Sequence, residues 1–113
     1  MQLNEYAEKI EVLAKYPGAS QGTVPAVCYT ALGLAGEAGE VANQIKKVLR
    51  DDDGAISEDR REKLVSELGD VAWYFIRLCA ELGIDPNRVL QENVDKLYGR
   101  LERGTIKGDG DVR

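Results

Sequence analysis

Two pairs of carboxylates stand out in the sequence. Glu37 and Glu40 lie in the run Gly36-Glu37-Ala38-Gly39-Glu40, and Glu67 and Asp70 lie in Glu67-Leu68-Gly69-Asp70. Within each pair the residues are three apart. On a helix that spacing brings both side chains to one face, a turn apart. Like charges so placed repel and weaken the helix slightly, so something that offsets the repulsion is expected beside them. A divalent cation held by oxygen ligands does this. A single exposed acidic pair is ordinarily no more than a solvated face. Two pairs in matching contexts, each with an internal glycine, point beyond that.

The glycines carry a second signal. Gly33, Gly36 and Gly39 recur every third residue beside the first pair, and Gly69 lies inside the second. A glycine in a helix interior costs about 1 kcal/mol relative to alanine. Four of them at the acidic motifs read as places where bulk is excluded, by a close helix or by a ligand.

The elements that must position these residues are helices. Leu3, Tyr6, Ala7, Ile10, Leu13 and Ala14 follow a helical period, which predicts a helix from Leu3 to about Lys15, ending before Tyr16-Pro17-Gly18. Residues 17–24 read as a loop. Pro25 suits the first turn of a second helix running to about Asp51, with a seam at Val27, Ala31, Leu34, Ala38, Val41, Ile45 and Val48. The acidic run Asp51-Asp52-Asp53 before Gly54 reads as a solvated loop. Ser57 is an N-cap candidate for a third helix to about Leu82, with a seam at Leu64, Leu68, Val71, Phe75, Leu78 and Leu82 and Gly83 as its stop. Asp85-Pro86 starts a fourth helix, which has Leu90, Val94, Leu97 and Leu101 on its seam and ends near Gly104. No strand period is present. The expected fold is all-α, an antiparallel bundle of four main helices in one domain, residues 1–113. The polar segment 104–113 reads either as a flexible end or as a cover for an active site.

Both acidic pairs sit one residue ahead of a seam position, in the same rotational sense. If the second and third helices pack antiparallel along these seams, all four carboxylates fall on the same side of the pair. On the fourth helix Asn93, Lys96 and Arg100 also each precede a seam residue, and Arg103 continues the stripe. This is a row of donors suited to a phosphate chain, or simply another solvated face. Tyr74 lies on the Glu67/Asp70 stripe, where it would either stack on a base or fill the core; Trp73 lies off it and reads as packing.

Composition narrows the chemistry. The chain has 113 residues, 15 basic and 20 acidic, a net charge of −5 and no histidine. Absence of histidine excludes Ser-His-Asp and Cys-His catalysis and His-ligated metals. The acidic balance argues against nucleic acid and membrane surfaces as partners. Cys28 and Cys79 form no CxxC motif and read as buried small residues in a reducing cytoplasm. No run is long and apolar enough for a membrane span, and the first residues lack the pattern of a signal peptide. The second and third helices carry more apolar surface than one short chain can cover, with Ala35, Ala42 and Leu49 as a further stripe. A homo-oligomer, dimer or tetramer, is therefore expected.

Glu37-x-x-Glu40, 26 intervening residues and Glu67-x-x-Asp70 together resemble the signature of the MazG-like nucleoside triphosphate pyrophosphohydrolases, an all-α group. The segment from Asn93 to Arg100 is similar to that family's phosphate-facing helix, and Arg103 to Asp111 is similar to the ending of its short bacterial and phage members. The resemblance runs from about Pro25 onward. It implies Mg²⁺-dependent hydrolysis of a canonical or modified (deoxy)nucleoside triphosphate between the α and β phosphates. It implies Glu37, Glu40, Glu67 and Asp70 as catalytic metal ligands for Mg²⁺, with Mn²⁺ as a substitute, and Glu40 or Glu37 as base. It also implies Asn93, Lys96 and Arg100 as substrate-binding residues. Two alternatives stand beside this reading. One is a dUTP- or dCTP-type hydrolase on the same scaffold. The other is a non-catalytic helical protein whose acidic faces meet a partner.

Overall fold

The computed structural model describes residues 1–113 and contains four helices and no strand: α1 (Leu3–Glu11), α2 (Val24–Asp51), α3 (Glu58–Leu82) and α4 (Pro86–Arg103). Local chemistry sets most of these limits. Thr23 caps α2 by accepting from the Ala26 N–H, and Pro25 sits in the first turn. Ser57 caps α3 by accepting from the Arg60 N–H at 3.1 Å, and Asp85 caps α4 by accepting from the Asn87 N–H at 2.9 Å. Gly83 and Gly104 end α3 and α4 with φ of 67° and 70°, a left-handed conformation that glycine adopts without a steric penalty.

α1 stops at Glu11, four residues short of the expected Lys15. The N–H groups of Leu13 and Ala14 donate to Ile10 and Glu11, three residues back, so the last turn tightens instead of propagating. Pro17 then disfavours a helical Tyr16. No helix is long and apolar enough to cross a membrane.

The chain forms two compact units, residues 1–83 and 84–113. In the first, α2 and α3 form an antiparallel pair. Gly33 meets Tyr74 near the middle, Gln44 meets Arg60 at one end, and Gly22, just before α2, meets Glu81 at the other. α1 packs on α3, where Tyr6 shares a groove of about 270 Å³ with Ala72, Phe75 and Ile76.

The expected apolar seams are covered only in part: Val48 is buried and Val27, Leu34, Val41, Leu64, Val71, Phe75 and Leu78 are half-buried, while the other seam positions stay open. Ala31 and Ala38 are exposed, and Ile45, Leu68 and Leu82 keep 41%, 54% and 50% of their surface. Besides these covered seam residues, the covered face of α2 takes in Ala26, Thr30, Gly33, Glu37 and Gln44, each one residue ahead of a seam position, and that of α3 takes in Arg60, Glu67, Tyr74 and Glu81. Small and hydrogen-bonded residues allow this frame. Ala26 and Thr30 are fully buried, with the Thr30 hydroxyl donating to the Ala26 carbonyl at 2.9 Å. Arg60 bridges to Gln44 at 2.7 Å and to Asp52 at 3.0 Å. The apolar stripe left outside includes Leu32, Leu49 and Val65, along with Cys28, which is exposed and not buried as expected; Cys79 is buried.

The second unit is α4 with the segment that follows it. Residues 105–113 hold no regular structure, but they fold back on α4. The Thr105 N–H donates to the Arg100 carbonyl at 2.8 Å, and Arg103 donates to the main-chain oxygen of Arg113 at 2.6 Å.

Candidate active site

Because the covered face of each helix extends to residues just ahead of its apolar seam, Glu37 and Glu67 are drawn into the α2–α3 interface. Glu37 and Glu67 are half-buried on facing helices and Asp70 is exposed beside them. One carboxylate oxygen from each lies within 4.8 Å of the others. Glu40, one turn along α2, is exposed and stands outside this trio.

Three anions this close are mutually unfavourable. Burial, followed by the charges of Asp70, Glu67 and Glu40, holds the Glu37 carboxyl above its ordinary value of 4.5. The donor set fits a hard divalent ion, since it consists of oxygen alone.

Next to the trio is an aromatic wall. Glu37, Asp70, Trp73 and Tyr74 line a cavity of about 310 Å³. The Trp73 and Tyr74 rings meet edge to face at 5.0 Å, and Tyr29 lies 6.4 Å from Tyr74. Tyr16 stacks on Tyr29 at 5.0 Å and touches Trp73 edge-on at 6.1 Å. Burial, then Tyr29, then the Glu37 and Asp70 charges push the Tyr74 phenol up; burial and Asp70 do the same to Tyr6. Of the four glycines at the acidic motifs, only Gly33 is tightly packed. A Cβ there would come within 2.1 Å of the Tyr74 ring, whereas Gly36, Gly39 and Gly69 face open space.

The wall rests on a buried polar network. Arg77 and Glu81, one turn apart on α3, form a 3.3 Å ion pair with side chains 3% and 0% exposed. Glu81 accepts from the Tyr16 hydroxyl, from the Ser20 N–H at 2.9 Å and from the Gly22 N–H at 3.0 Å. Arg77 donates to the Tyr16 hydroxyl at 3.1 Å and to the Ser20 hydroxyl at 2.9 Å. Ser20 has φ of 66°, uncommon for a residue with a side chain, and its N–H bond to Glu81 helps hold that conformation. These two residues were missed from sequence. The available signal was an oppositely charged i, i+4 pair inside the apolar run from Trp73 to Leu82.

In the second unit, Asn93 and Lys96 line one cavity of about 420 Å³ with Ile84, Arg88, Val89 and Glu92. Arg100 lies outside that lining, buried to 6% exposure, with its Nε lacking any partner. Lys96 and Arg100 both reach the Asp111 carboxylate, at 3.3 Å and 3.4 Å.

Residues 29–104 match the family model of the MazG nucleotide pyrophosphohydrolase domain, a stretch that contains both acidic pairs and all three α4 donors. The chain is also similar to the Gene 37 protein of Mycobacterium phage L5, 43% identical over 114 residues with both chains covered in full. No solved structure matches it.

Proposed function

The chain belongs to the MazG nucleotide pyrophosphohydrolase family, and so to the hydrolases of nucleotide pyrophosphate bonds; from that premise we propose that it cleaves (deoxy)nucleoside triphosphates between the α and β phosphates with Mg²⁺. The observation that carries this is the convergence of Glu37, Glu67 and Asp70 to within 4.8 Å across two helices. These three residues would hold the ion, and Glu40 would complete the acidic set one turn away. A bound divalent cation supplies charge neutralisation at the α phosphate and acidifies water at the site.

The protein groups do the remainder. Water attacks the α phosphorus, the bond from that phosphorus to the bridging oxygen breaks, and the monophosphate and pyrophosphate leave. The proton lost by water passes to a carboxylate. Of Glu37 and Glu40, Glu40 stands outside the trio, which leaves its oxygens available as base. Lys96 and Arg100 bind the polyphosphate and stabilise charge on it, and Asn93 adds a hydrogen bond. The wall of Trp73 and Tyr74 beside Glu37 and Asp70 gives the base a place to stack. The role that follows is nucleotide-pool control or sanitation in the cytoplasm, with the exposed stripe of α2 covered by further copies of the chain.

The test is a panel of dNTPs with Mg²⁺, read for pyrophosphate and for orthophosphate separately. Pyrophosphate with an equal yield of monophosphate is expected. Orthophosphate as the sole inorganic product would overturn the α–β assignment.

A further inference from the structure

The segment after α4 is a built element and not a loose end. Gly108 and Gly110 have φ of 146° and 82°, values that side chains rarely tolerate. The Arg113 guanidinium staples the segment by donating to the carbonyls of Thr105 and Ile106, each at 2.9 Å, and to that of Gly110. Arg103 clamps it from the helix through the main-chain oxygen of Arg113. These bonds and the two glycines at positive φ give the segment a defined conformation.

This fold delivers Asp111 to the two cations of α4. Its carboxylate lies 3.3 Å from Lys96 Nζ and 3.4 Å from Arg100 Nη2, and its main-chain oxygen accepts from Arg100 Nη2 at 2.6 Å. Asp111 is itself 86% exposed, so this pair is weak and exchangeable. The hydrogen bond and charge of Lys96, then those of Arg100, hold the Asp111 carboxyl below its usual range. On Arg100 the segment engages Nη2 alone and leaves the buried Nε unpartnered. A phosphate oxygen pair on the Nε–Nη2 edge would satisfy both donors in the parallel geometry that guanidinium favours.

We propose that residues 105–113 form a strap in which Asp111 stands in for substrate phosphate on Lys96 and Arg100, so that the strap competes with polyphosphate and must withdraw for it to bind. This rests on reading Lys96 and Arg100 as phosphate-binding residues. The strap sets a threshold: it releases only when a ligand outbids one carboxylate and two carbonyls. A triphosphate chain, with several negative charges on three linked groups, does so more readily than a single phosphate, which favours triphosphate entry and monophosphate exit.

Calorimetric titration of the full chain with tripolyphosphate, in Mg²⁺, tests this. Asp111→Asn is expected to tighten binding about threefold, the scale of an exposed ion pair. Arg113→Gln, which loosens the staple without touching either cation, is expected to tighten it as well. Unchanged or weaker binding in both variants overturns the strap. Lys96→Gln is the control, expected to weaken binding about tenfold; if it has no effect, the phosphate-binding reading itself fails, whatever the strap variants do. Amide exchange across 105–113 is expected to speed up on adding tripolyphosphate. Slower exchange would mean a lid that closes on phosphate, and would overturn competition.

Discussion

The Tyr74 ring lies flush against Gly33 across the α2–α3 interface, so close that a Cβ on Gly33 would sit 2.1 Å from Tyr74 Cε1. This contact joins the packing of the helix pair to the cavity beside Glu37 and Asp70, since Tyr74 lines both. Gly33→Ala therefore forces the ring out of place. Overpacking of this kind costs about 1–3 kcal/mol, so a lower melting temperature and a raised KM for nucleotide are expected together. The variant Gly36→Ala, which meets nothing within 4 Å, is expected to leave the melting temperature unchanged or slightly higher.

The crowding of Glu37, Glu67 and Asp70 predicts opposite effects with and without metal. Without a divalent ion, Glu67→Gln is expected to raise the melting temperature, because one of three repelling charges is removed. With Mg²⁺ or Mn²⁺ the wild type is expected to gain stability, about 2.7 kcal/mol at a hundred times Kd, and the variant to gain little. Thermal melts across a metal titration check both signs.

Loss of activity should follow the same residues. Asp70→Asn is expected to abolish pyrophosphate release by removing a ligand of the trio. Glu40→Gln is expected to lower kcat by about 10²–10⁴ while leaving the metal-induced rise in melting temperature largely intact, as befits a base outside the trio. Steady-state kinetics combined with the melts separates the two roles.

Glu81 gives a pH dependence whose sign is fixed. Burial pushes its carboxyl up, but the bonds from Tyr16, Ser20 and Gly22 and the charge of Arg77 outweigh it, and the net shift is below the ordinary 4.5. A lowered folded-state value means stability that is complete above about pH 4.5 and is lost as pH falls through that lower value. Glu81→Gln strands Arg77 in the interior, a loss of about 3–5 kcal/mol at neutral pH. The gap between wild type and variant is expected to narrow on acidification below pH 4.5, as followed by chemical denaturation at a series of pH values.

The apolar residues left outside the α2–α3 interface predict self-association. Leu32 and Leu49 keep 72% and 75% of their surface on α2, and Val65 keeps 63% on α3. Sedimentation at micromolar concentration is expected to show a dimer or larger. The double change Leu32→Glu with Leu49→Glu is expected to shift it to monomer, since each buried leucine contributes about 1.5–3 kcal/mol.

The helices were legible because their stops are chemical. Ser57, Gly83, Asp85-Pro86 and Gly104 fix their ends by hydrogen bonding and backbone freedom, and those are properties of the residue alone. The seams were less legible. Counting apolar residues finds the seam of α2, of which Val48 is buried and Val27, Leu34 and Val41 half-buried, but it does not find Ala26, Thr30 and Gly33, which the covered face also takes in. The carboxylates meet because both pairs share one offset from their seams, so covered faces that reach just ahead of the seams take in Glu37 and Glu67 together. Glu40 does not join them, being a further turn along α2. The network of Arg77 and Glu81 stayed hidden because its partners, Tyr16, Ser20 and Gly22, come from a loop about 60 residues away in the chain.

Trp73 is the chain's one tryptophan, and its indole lines the cavity shared by Glu37, Asp70 and Tyr74 while its edge meets Tyr16. The protein thus carries its own optical gauge. Emission excited at the red edge of the absorption band comes from a single place, within reach of both the acidic trio and the loop anchored by Glu81. A base that stacks on the wall would quench it, release of the loop would expose it to water and shift it to the red, and the two signals differ in colour as well as in strength. Occupancy and loosening can therefore be followed in the same cuvette, on unlabelled wild-type protein.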